Sequence, residues 1–274
     1  MNARVYLDWN ATAPLRPEAR TAMLAAMDAV GNPSSVHAEG RIAKGIIERA
    51  RAQVSAAFGA ANGDIVFTSG ATEAAALALA GRDLNSCSVE HDCVTSWTDE
   101  VLSCDHMGKV SVKRPVDTAL QLANSETGIL QDLPQGLALC DFVQGFGKVP
   151  VAFDWTGVEM GLLSAHKIGG PKGVGALVLR QGTDLVAAIR GGGQEMGRRA
   201  GTENLIGIAG FGAAAEAAAK DLNEGVWDRV AGLRDMLEDR IASDTAGVVF
   251  VGRGTLPPVS CKISHQSPPS LVCS

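Results

Sequence analysis

The sequence predicts an α/β fold in which a mostly parallel sheet is flanked by helices. Short apolar segments of strand length alternate with longer segments of helical periodicity, and this order is typical of parallel sheets. Glycine is abundant, at 32 of 274 residues, as tight turns between short elements require. Hydrophobic residues make up 46% and charged residues 20% of the chain, so a globular fold is expected rather than intrinsic disorder.

Several segments are predicted to be helices. In the first, Pro17 occupies the first helical position, apolar residues recur every three or four positions, and Gly31 follows as a stop signal. The second carries Arg and Glu side chains on the face expected to meet solvent. The predicted helices span residues 17–30, 40–58, 205–222 and 225–241, with a further alanine-rich helix that ends at residue 80.

The predicted strands are short and mostly apolar. They span residues 64–68, 86–89, 109–112, 137–142, 161–164, 175–179 and 248–251, and residues 4–8 form a short extended segment. We expect an N-terminal arm over residues 1–15, a large domain over residues 16–247, and the start of a second, smaller domain over residues 248–274. The Pro- and Ser-containing tail after residue 264 lacks periodicity and is predicted to be a loop.

Charge and apolar pattern argue against several functions. The net charge of −6 argues against binding of duplex nucleic acid, which needs clustered Lys and Arg. No segment reaches the ~18 apolar residues of a membrane span, and the first fifteen residues hold no apolar core of a secretory signal. A cytoplasmic protein is therefore expected. The six cysteines form no C-x-x-C pair, which argues against a zinc ribbon or a thioredoxin-type site and favours reduced thiols; no metal site is expected.

A turn of small residues follows the strand predicted at residues 64–68. It reads Ser69-Gly70-Ala71-Thr72-Glu73 and leads into a helix. Unpaired backbone N–H groups and the positive end of the helix dipole would make such a turn a phosphate-binding site. The same residues are also typical of an ordinary helix N-cap, in which Ser69 or Thr72 caps and Glu73 complements the dipole.

Lys167 comes directly after an apolar strand and before a glycine-rich loop. A lysine in a partly desolvated site suits Schiff-base chemistry, because burial favours the neutral amine. The alternative is a surface lysine in a turn. The nearby Lys172 is not a P-loop lysine, since no Ser or Thr follows it and the preceding glycine spacing is wrong.

Asp141 and His91 are further candidates. Asp141 ends an apolar run, and an aspartate at the carboxyl end of a sheet strand lies where open α/β sheets bind ligands. It would pair with a cationic ring nitrogen, or it caps a loop. His91 is a candidate acid–base group or a structural residue. Residues 210–215 fit the G-x-G-x-x-A form of a dinucleotide site, but they lie inside a predicted helix with no preceding strand, which argues against NAD binding.

Taken together and in order, the motifs resemble those of the cysteine desulfurases, which are pyridoxal-phosphate enzymes of fold type I in the class V aminotransferase-like group. The resemblance extends to about residue 264. It rests on residues 6–8, 10–12, 31–35, 67–73, 90–91, 124–128, 141 with 144, 164–173 and 191–202.

The resemblance implies a role for each matching residue. Lys167 would carry the cofactor and later move protons, Asp141 would keep the pyridine nitrogen protonated, and His91 would stack on the ring as an acid–base group. Gln144 would hydrogen-bond the ring oxygen. The phosphate would be held by Ala71, Thr72, Ser164 and His166, and Thr202 would reach the phosphate of a partner subunit, which implies a homodimer.

The implied reaction converts L-cysteine to L-alanine. An enzyme cysteine thiolate takes the substrate sulfur as a persulfide, which then supplies a sulfur acceptor or an iron–sulfur scaffold protein. The family has two Asn before its Glu-x-Gly, and the second contacts the cofactor. Ser125 stands at that position here, so the contact is weakened or passes to Asn124.

The C-terminal end departs most from the family pattern. Neither Cys261 nor Cys273 lies in a Ser- and Gly-rich loop like that of the family's nucleophilic cysteine. The sequence therefore predicts a truncated or frame-shifted small domain, exposed apolar surface, poor stability and minimal desulfurase turnover. Two other functions stay open: another class V reaction, such as that of a selenocysteine lyase or an aminotransferase, and a non-catalytic remnant that serves as a dimerisation partner.

Overall fold

The computed structural model describes residues 5–251 and 263–265, and in them helices alternate with short strands. The helices are α1 (Pro17–Met27), α2 (Ala38–Phe58), α3 (Ala71–Leu79), α4 (Asp92–Thr95), α5 (Phe153–Thr156), α6 (Leu205–Asn223) and α7 (Val226–Asp244). The strands are β1 (Gly63–Thr68), β2 (Asn85–Cys87), β3 (Asp99–Leu102), β4 (Ala119–Gln121), β5 (Leu139–Asp141), β6 (Met160–Ser164), β7 (Gly175–Arg180), β8 (Val248–Phe250) and β9 (Ile263–His265).

Five strands form the central sheet in the order β1-β7-β6-β5-β4. Strand β7 is antiparallel to both of its neighbours, whereas β4, β5 and β6 pair in parallel. A parallel pair, β2 and β3, lies beside β4 through a single bridge between Asn85 and Thr118. The expectation of a mostly parallel sheet flanked by helices is therefore confirmed, and β7 runs against the other strands of the central sheet.

The central strands are buried on both faces, so they carry near-continuous apolar runs. Every residue of β6 is buried, as are the first five of β7. One face of the sheet packs against α2 and α6, around an aromatic group that includes Phe58 and Phe142, whose ring centroids lie 4.9 Å apart. The other face packs against α3 through Leu77.

Glycines allow α6 to approach both α2 and α1 closely. A Cβ atom added at Gly212 would lie 2.6 Å from the Cα atom of Ala50, and one at Gly210 would lie 2.7 Å from Met23. These are the glycines of the G-x-G-x-x-A segment, which lies inside α6. They serve helix packing, in agreement with the argument against a dinucleotide site.

The helix ends differ from the predicted ones by a few residues. Helix α1 starts at Pro17 as expected but ends at Met27, and α2 starts two residues early because His37 caps it, with Nδ1 accepting from the amide of Gly40. Gly59 ends α2 in the left-handed conformation, with φ of +62°. Such small shifts are usual at helix ends.

The strand predicted at residues 109–112 was wrong. Only an isolated bridge between Cys104 and Val110 forms there, because the segment lies in an irregular loop after β3. Strands β3 and β4 were not predicted. The connection from β4 to β5, residues 122–138, consists of turns without an α-helix.

The C-terminal expectations fall largely outside the described residues. The second domain from residue 248 stays a prediction, although β8 pairs antiparallel with β9. The predicted loop after residue 264 begins with His265, which instead ends β9. The rest of that loop, Cys261 and Cys273 lie outside the described part of the chain. No helix in the described part is long and apolar enough to cross a membrane.

Candidate active site

A cavity of about 530 Å³ lies beyond the carboxyl ends of β4, β5 and β6, at the N-terminus of α3. Its volume is in the range of small-molecule sites. It also lies where open α/β sheets bind ligands, because parallel strands bring their carboxyl ends to one edge. The structure brings most of the predicted site residues to its lining: Ala71, Thr72, His91, Ser125, Asp141, Gln144, Ser164, His166 and Lys167.

Helix α3 presents its N-terminus to the cavity. Its N-cap, Gly70, makes no side-chain capping bond, and Glu73 Oε2 instead accepts the amide of Ser69 at 2.6 Å. The ordinary N-cap by Ser69 or Thr72 is therefore not what the structure has. The first-turn N–H groups have no intrahelical partner, and with the helix dipole they suit a phosphate.

Lys167 ends a short 3-10 turn that follows β6. Its Nζ donates to the backbone oxygens of Asn10, at 2.6 Å, and Ala11, at 3.0 Å. Burial lowers the pKa of Lys167, although the negative charges of Asp141, Asp8 and Glu126 oppose this. Lys167 is thus a partly desolvated amine in a cavity, not a surface lysine, and this is the state that Schiff-base chemistry needs.

Asp141 ends β5, and its side chain is buried at the edge of the cavity. Its Oδ1 accepts the amide of Val143 at 2.8 Å, and burial raises the pKa of the carboxyl while His91 and Lys167 oppose that rise. Within the described residues, Oδ2 accepts no hydrogen bond. A buried carboxylate of this kind is stabilised by a cationic ligand, and a protonated ring nitrogen is one.

His91 is the N-cap of α4 and lines the cavity beside Cys93. Its Nδ1 accepts the amide of Cys93 at 3.1 Å, so the neutral ring carries its proton on Nε2. The adjacent Glu90 is buried, and burial raises the pKa of its carboxyl to about 8. Its Oε1 accepts the amide of Gln121, while Oε2 has no partner among the described residues.

His166 and Gln144 are held by the N-terminal segment. His166 Nδ1 lies 3.2 Å from Thr12 Oγ1, and burial with the charges of Lys167, Lys172 and Lys148 lowers the pKa of His166 to about 4. The ring is therefore neutral at pH 7. Gln144 donates from Nε2 to the backbone oxygen of Asn10 at 3.0 Å.

Asn124 and Ser125 are placed differently from each other. Asn124 Oδ1 accepts the amides of Glu126 and Thr127 within the turn, and its Nδ2 donates to the oxygen of Val89 outside it, so both ends of its side chain are engaged. Ser125, not Asn124, lies in the cavity lining. This geometry favours a weakened contact at position 125 over its transfer to Asn124.

Thr202 lies outside the Lys167 cavity. It is exposed in the loop that precedes α6, in a small pocket shared with Ser69 and Arg199. Arg199 pairs with Glu73 at 2.8 Å and so joins this loop to the start of α3. The role of Thr202 at a partner's phosphate stays a prediction.

Sequence reasoning missed several residues of the site. The cavity lining also includes Thr12, Cys93, Gln121 and Lys172. Lys148 is not in the lining but donates a hydrogen bond to Gln144. Thr12 belongs to a segment that matches the family, which was a usable signal. Nothing in the local sequence marks Lys148 or Gln121, because both reach the site only through the fold.

The residues of the cavity fit pyridoxal phosphate. A lysine amine, a buried carboxylate with a free oxygen and unpaired helix N–H groups are the partners that its carbonyl carbon, ring nitrogen and phosphate require. No cluster of residues able to hold a metal ion occurs in the described part of the chain.

Comparisons with known proteins agree with this geometry. The model of the family "Aminotransferase class-V" matches residues 5–100 and 92–257. Two proteins named cysteine desulfurase, from Frankia sp. strain EuIK1 and Cereibacter sphaeroides, are 37% and 39% identical to this chain. The alignments cover 92% and 94% of this chain and 72% and 76% of those proteins.

A solved structure, the NifS-like protein from Rickettsia africae, superposes with a TM-score of 0.86 at 31% identity, covering 93% of this chain and 80% of that one. Another solved structure, SspA in complex with cysteine, superposes with a TM-score of 0.80 at 26% sequence identity. That alignment covers 96% of this chain and 84% of the SspA chain. The fold, the lysine cavity and these relatives lead to one conclusion: the chain belongs to the pyridoxal-phosphate-dependent class V aminotransferase family and, within it, to the cysteine desulfurases.

Proposed function

We propose that this chain binds pyridoxal phosphate on Lys167 and removes sulfur from L-cysteine to leave L-alanine. The observation that supports this is the meeting of Lys167 and Asp141 in one cavity at the N-terminus of α3. In this arrangement the amine serves the carbonyl carbon, the carboxylate serves the ring nitrogen, and the helix N-terminus serves the phosphate of one cofactor. The structure described as SspA in complex with cysteine supports the choice of substrate.

When bound, the cofactor supplies an electron sink for carbanion chemistry. Asp141 holds the proton on the ring nitrogen, and its burial strengthens that interaction. Ala71, Thr72, Ser164 and neutral His166 hold the phosphate, and Thr202 serves the phosphate of the partner subunit in a homodimer. Gln144 donates to the ring oxygen, and Ser125 adds a weaker polar contact.

Lys167 and His91 handle protons. The lowered pKa of Lys167 raises the fraction of neutral amine, which is the form that attacks a carbonyl carbon and takes a proton. The carbonyl oxygens of Asn10 and Ala11 accept from Nζ and so hold the lysine in the cavity lining. His91 keeps its proton on Nε2 because Nδ1 is engaged by a backbone amide.

The sulfur acceptor is a separate question. In the proposed step a thiolate would attack the substrate sulfur and form a persulfide. The C–S bond would break with its electron pair left on the substrate carbon, which would take a proton to give alanine. Cys93 lies in the cavity, but burial raises the pKa of its thiol to about 12, so it carries almost no thiolate at neutral pH. Cys87 and Cys140 are buried, and the exposed Cys104 is not in the lining. The acceptor is therefore not one of these four.

Product analysis tests this function. Purified chain with pyridoxal phosphate and L-cysteine is assayed for alanine, first alone and then with an added small thiol as acceptor. We expect alanine formation well below about 1 s⁻¹ without the thiol and a clear increase with it. Lys167→Ala should form none in either case. Fast turnover without an added thiol, or alanine formation by Lys167→Ala, would contradict the proposal.

Finer aspects of the function are also proposals. We place the protein in the cytoplasm as a homodimer that passes sulfur to an acceptor protein for iron–sulfur cluster assembly. Assays with selenocysteine and with amino acids that carry no sulfur separate desulfurase from lyase and aminotransferase activity. Light scattering of the purified chain gives its oligomeric state, and a monomer would rule out a role for Thr202 across a dimer.

A further inference from the structure

Lys148 is a buried cation that the proposed reaction does not use. Its side chain is 5% exposed, and it lies in a series of turns over residues 143–148 that follows β5. Within the described residues, no carboxylate pairs with its Nζ. A buried charge without a counter-charge is costly unless it makes strong hydrogen bonds, so its position calls for a reason.

The partner of Lys148 is Gln144. Nζ lies 2.7 Å from Gln144 Oε1, and the bond is buried. The local backbone is helix-like, with the amide of Val149 donating to the oxygen of Gly145, and residues four apart in such a turn lie side by side. The contact follows from this turn.

The two partners of Gln144 determine the orientation of its amide. An ammonium group only donates, so the atom facing Lys148 is the amide oxygen. A backbone oxygen only accepts, so the atom facing Asn10, at 3.0 Å, is the amide nitrogen. The partner of the amide oxygen and the partner of the amide nitrogen therefore require the same orientation of the Gln144 side chain.

The same Asn10 oxygen also holds the reactive lysine. It accepts from Lys167 Nζ at 2.6 Å as well as from Gln144 Nε2. A continuous series of hydrogen bonds thus runs from Lys148 through Gln144 and Asn10 to Lys167. Gln144 lines the cavity that holds Lys167, whereas Lys148 is not among its lining residues.

We propose that Lys148 is a positioning residue that fixes the Gln144 amide so that its nitrogen, and not its oxygen, serves the cofactor site. Without Lys148 the amide is free to rotate by half a turn. Its oxygen would then lie against the Asn10 oxygen and against the ring oxygen of the cofactor, and two acceptors repel each other. This inference rests on the proposed cofactor binding at Lys167.

The electrostatic surroundings are consistent with this role. Burial and the charge of Lys167 lower the pKa of Lys148 to about 8, so at pH 7 the group is still mostly an ammonium. His166, the other titratable group that responds to its charge, is neutral. Lys148 is thus a donor over the working range of a neutral cytoplasm.

Equilibrium binding of pyridoxal phosphate, followed by visible absorbance, tests the role of Lys148. Lys148→Met should raise the dissociation constant about tenfold, since a hydrogen bond to a charged group is lost and an unfavourable contact replaces it. The pH titration of the bound cofactor's absorbance should shift to higher pH, because the ring oxygen loses a donor. Lys220→Met, at an exposed site on α6, is the matched control and should bind like the wild type.

A double mutant separates action through Gln144 from a direct effect of charge. Gln144→Leu should weaken binding about as much as Lys148→Met, and the double variant should be no weaker than Gln144→Leu alone. Additive losses, or a Lys148→Met variant with the dissociation constant and titration of the wild type, would overturn the proposal.

Stability of the cofactor-free protein distinguishes positioning from a structural role. Removing an uncompensated buried charge should leave the melting temperature of Lys148→Met equal to or above that of the wild type. A large drop would mean that Lys148 is structural. Should the Met variant not fold, Lys148→Leu, which also lacks a donor, takes its place with the same expected shifts. Failure of the wild type itself to bind cofactor would count against the proposed function, whereas normal binding by Lys148→Met counts only against this inference.

Discussion

Replacing Arg51 by Met should strongly destabilise the protein, because it leaves Glu195 as an unpaired buried charge. The Glu195 side chain is 2% exposed. Its two oxygens accept from the guanidinium of Arg51 at 2.9 and 3.0 Å, and Oε2 also accepts the amide of Phe67 at 2.9 Å. Arg51 stacks on the ring of Phe67, with 4.8 Å to the centroid. The pair therefore ties α2 and β1 to the loop before α6.

The size of the effect follows from burial. Breaking a buried pair by removing one partner costs about 3 to 5 kcal/mol, and the remaining bond from Phe67 compensates only part of it. For a chain of this size each kcal/mol corresponds to about 2–4 °C in melting temperature. Glu195 also has a φ of +47°, so the loop depends on its contacts to keep this conformation.

Urea unfolding and thermal melting of the cofactor-free protein measure the loss. The control is Arg240→Met, which breaks an exposed pair with Asp244 and should cost less than about 1 kcal/mol. The double variant Arg51→Met with Glu195→Met should recover part of the stability, because no buried charge remains. A loss below about 1 kcal/mol for Arg51→Met would refute the reasoning.

Three further changes are expected to have measurable effects. Gly212→Ala should cost about 1–3 kcal/mol in urea unfolding, since its Cβ would meet Ala50 at 2.6 Å, whereas Gly232→Ala has open space and should stabilise slightly. Asp141→Asn should raise the melting temperature of the cofactor-free protein at pH 7, because burial raises the pKa of this carboxyl, and it should weaken cofactor binding; a lower melting temperature would contradict this. The raised pKa of Glu90, about 8, predicts that wild-type stability falls as pH rises from about 4.5 through about 8. Glu90→Gln should remove that part of the dependence of stability on pH, and an unchanged dependence would show that Glu90 does not cause it.

Among the strands, β6 could be predicted from its own residues, whereas β3 could not. Strand β6 consists of five buried residues, and its run of apolar residues could be recognised without any partner. Strand β3 begins with Asp99 and Glu100 and is mostly exposed, so its residues carry no strand pattern. It forms because β2 offers a parallel partner, and such pairing is invisible in one segment.

In the candidate site, too, some residues could be recognised from the local sequence and others only from contacts with distant parts of the chain. Asp141 could be found because it ends a buried strand, and Lys167 because it lies three residues after one. The link between Arg51 and Glu195 joins residues 144 positions apart, and no local pattern predicts it. Lys148 escaped notice because its meaning depends on the orientation of one amide, which only the three-dimensional contacts reveal. The role of Thr202 concerns a second subunit and stays a prediction.

Trapping of the bound cofactor tests the central claim most directly. Borohydride reduction of the protein with pyridoxal phosphate fixes the cofactor on the amine that carries it, and peptide mass mapping then locates the label. We predict one label per chain, on the peptide that contains Lys167, and none in Lys167→Ala. A label on Lys148 or Lys172, or an unchanged label in Lys167→Ala, would contradict the assignment of this cavity as the cofactor site.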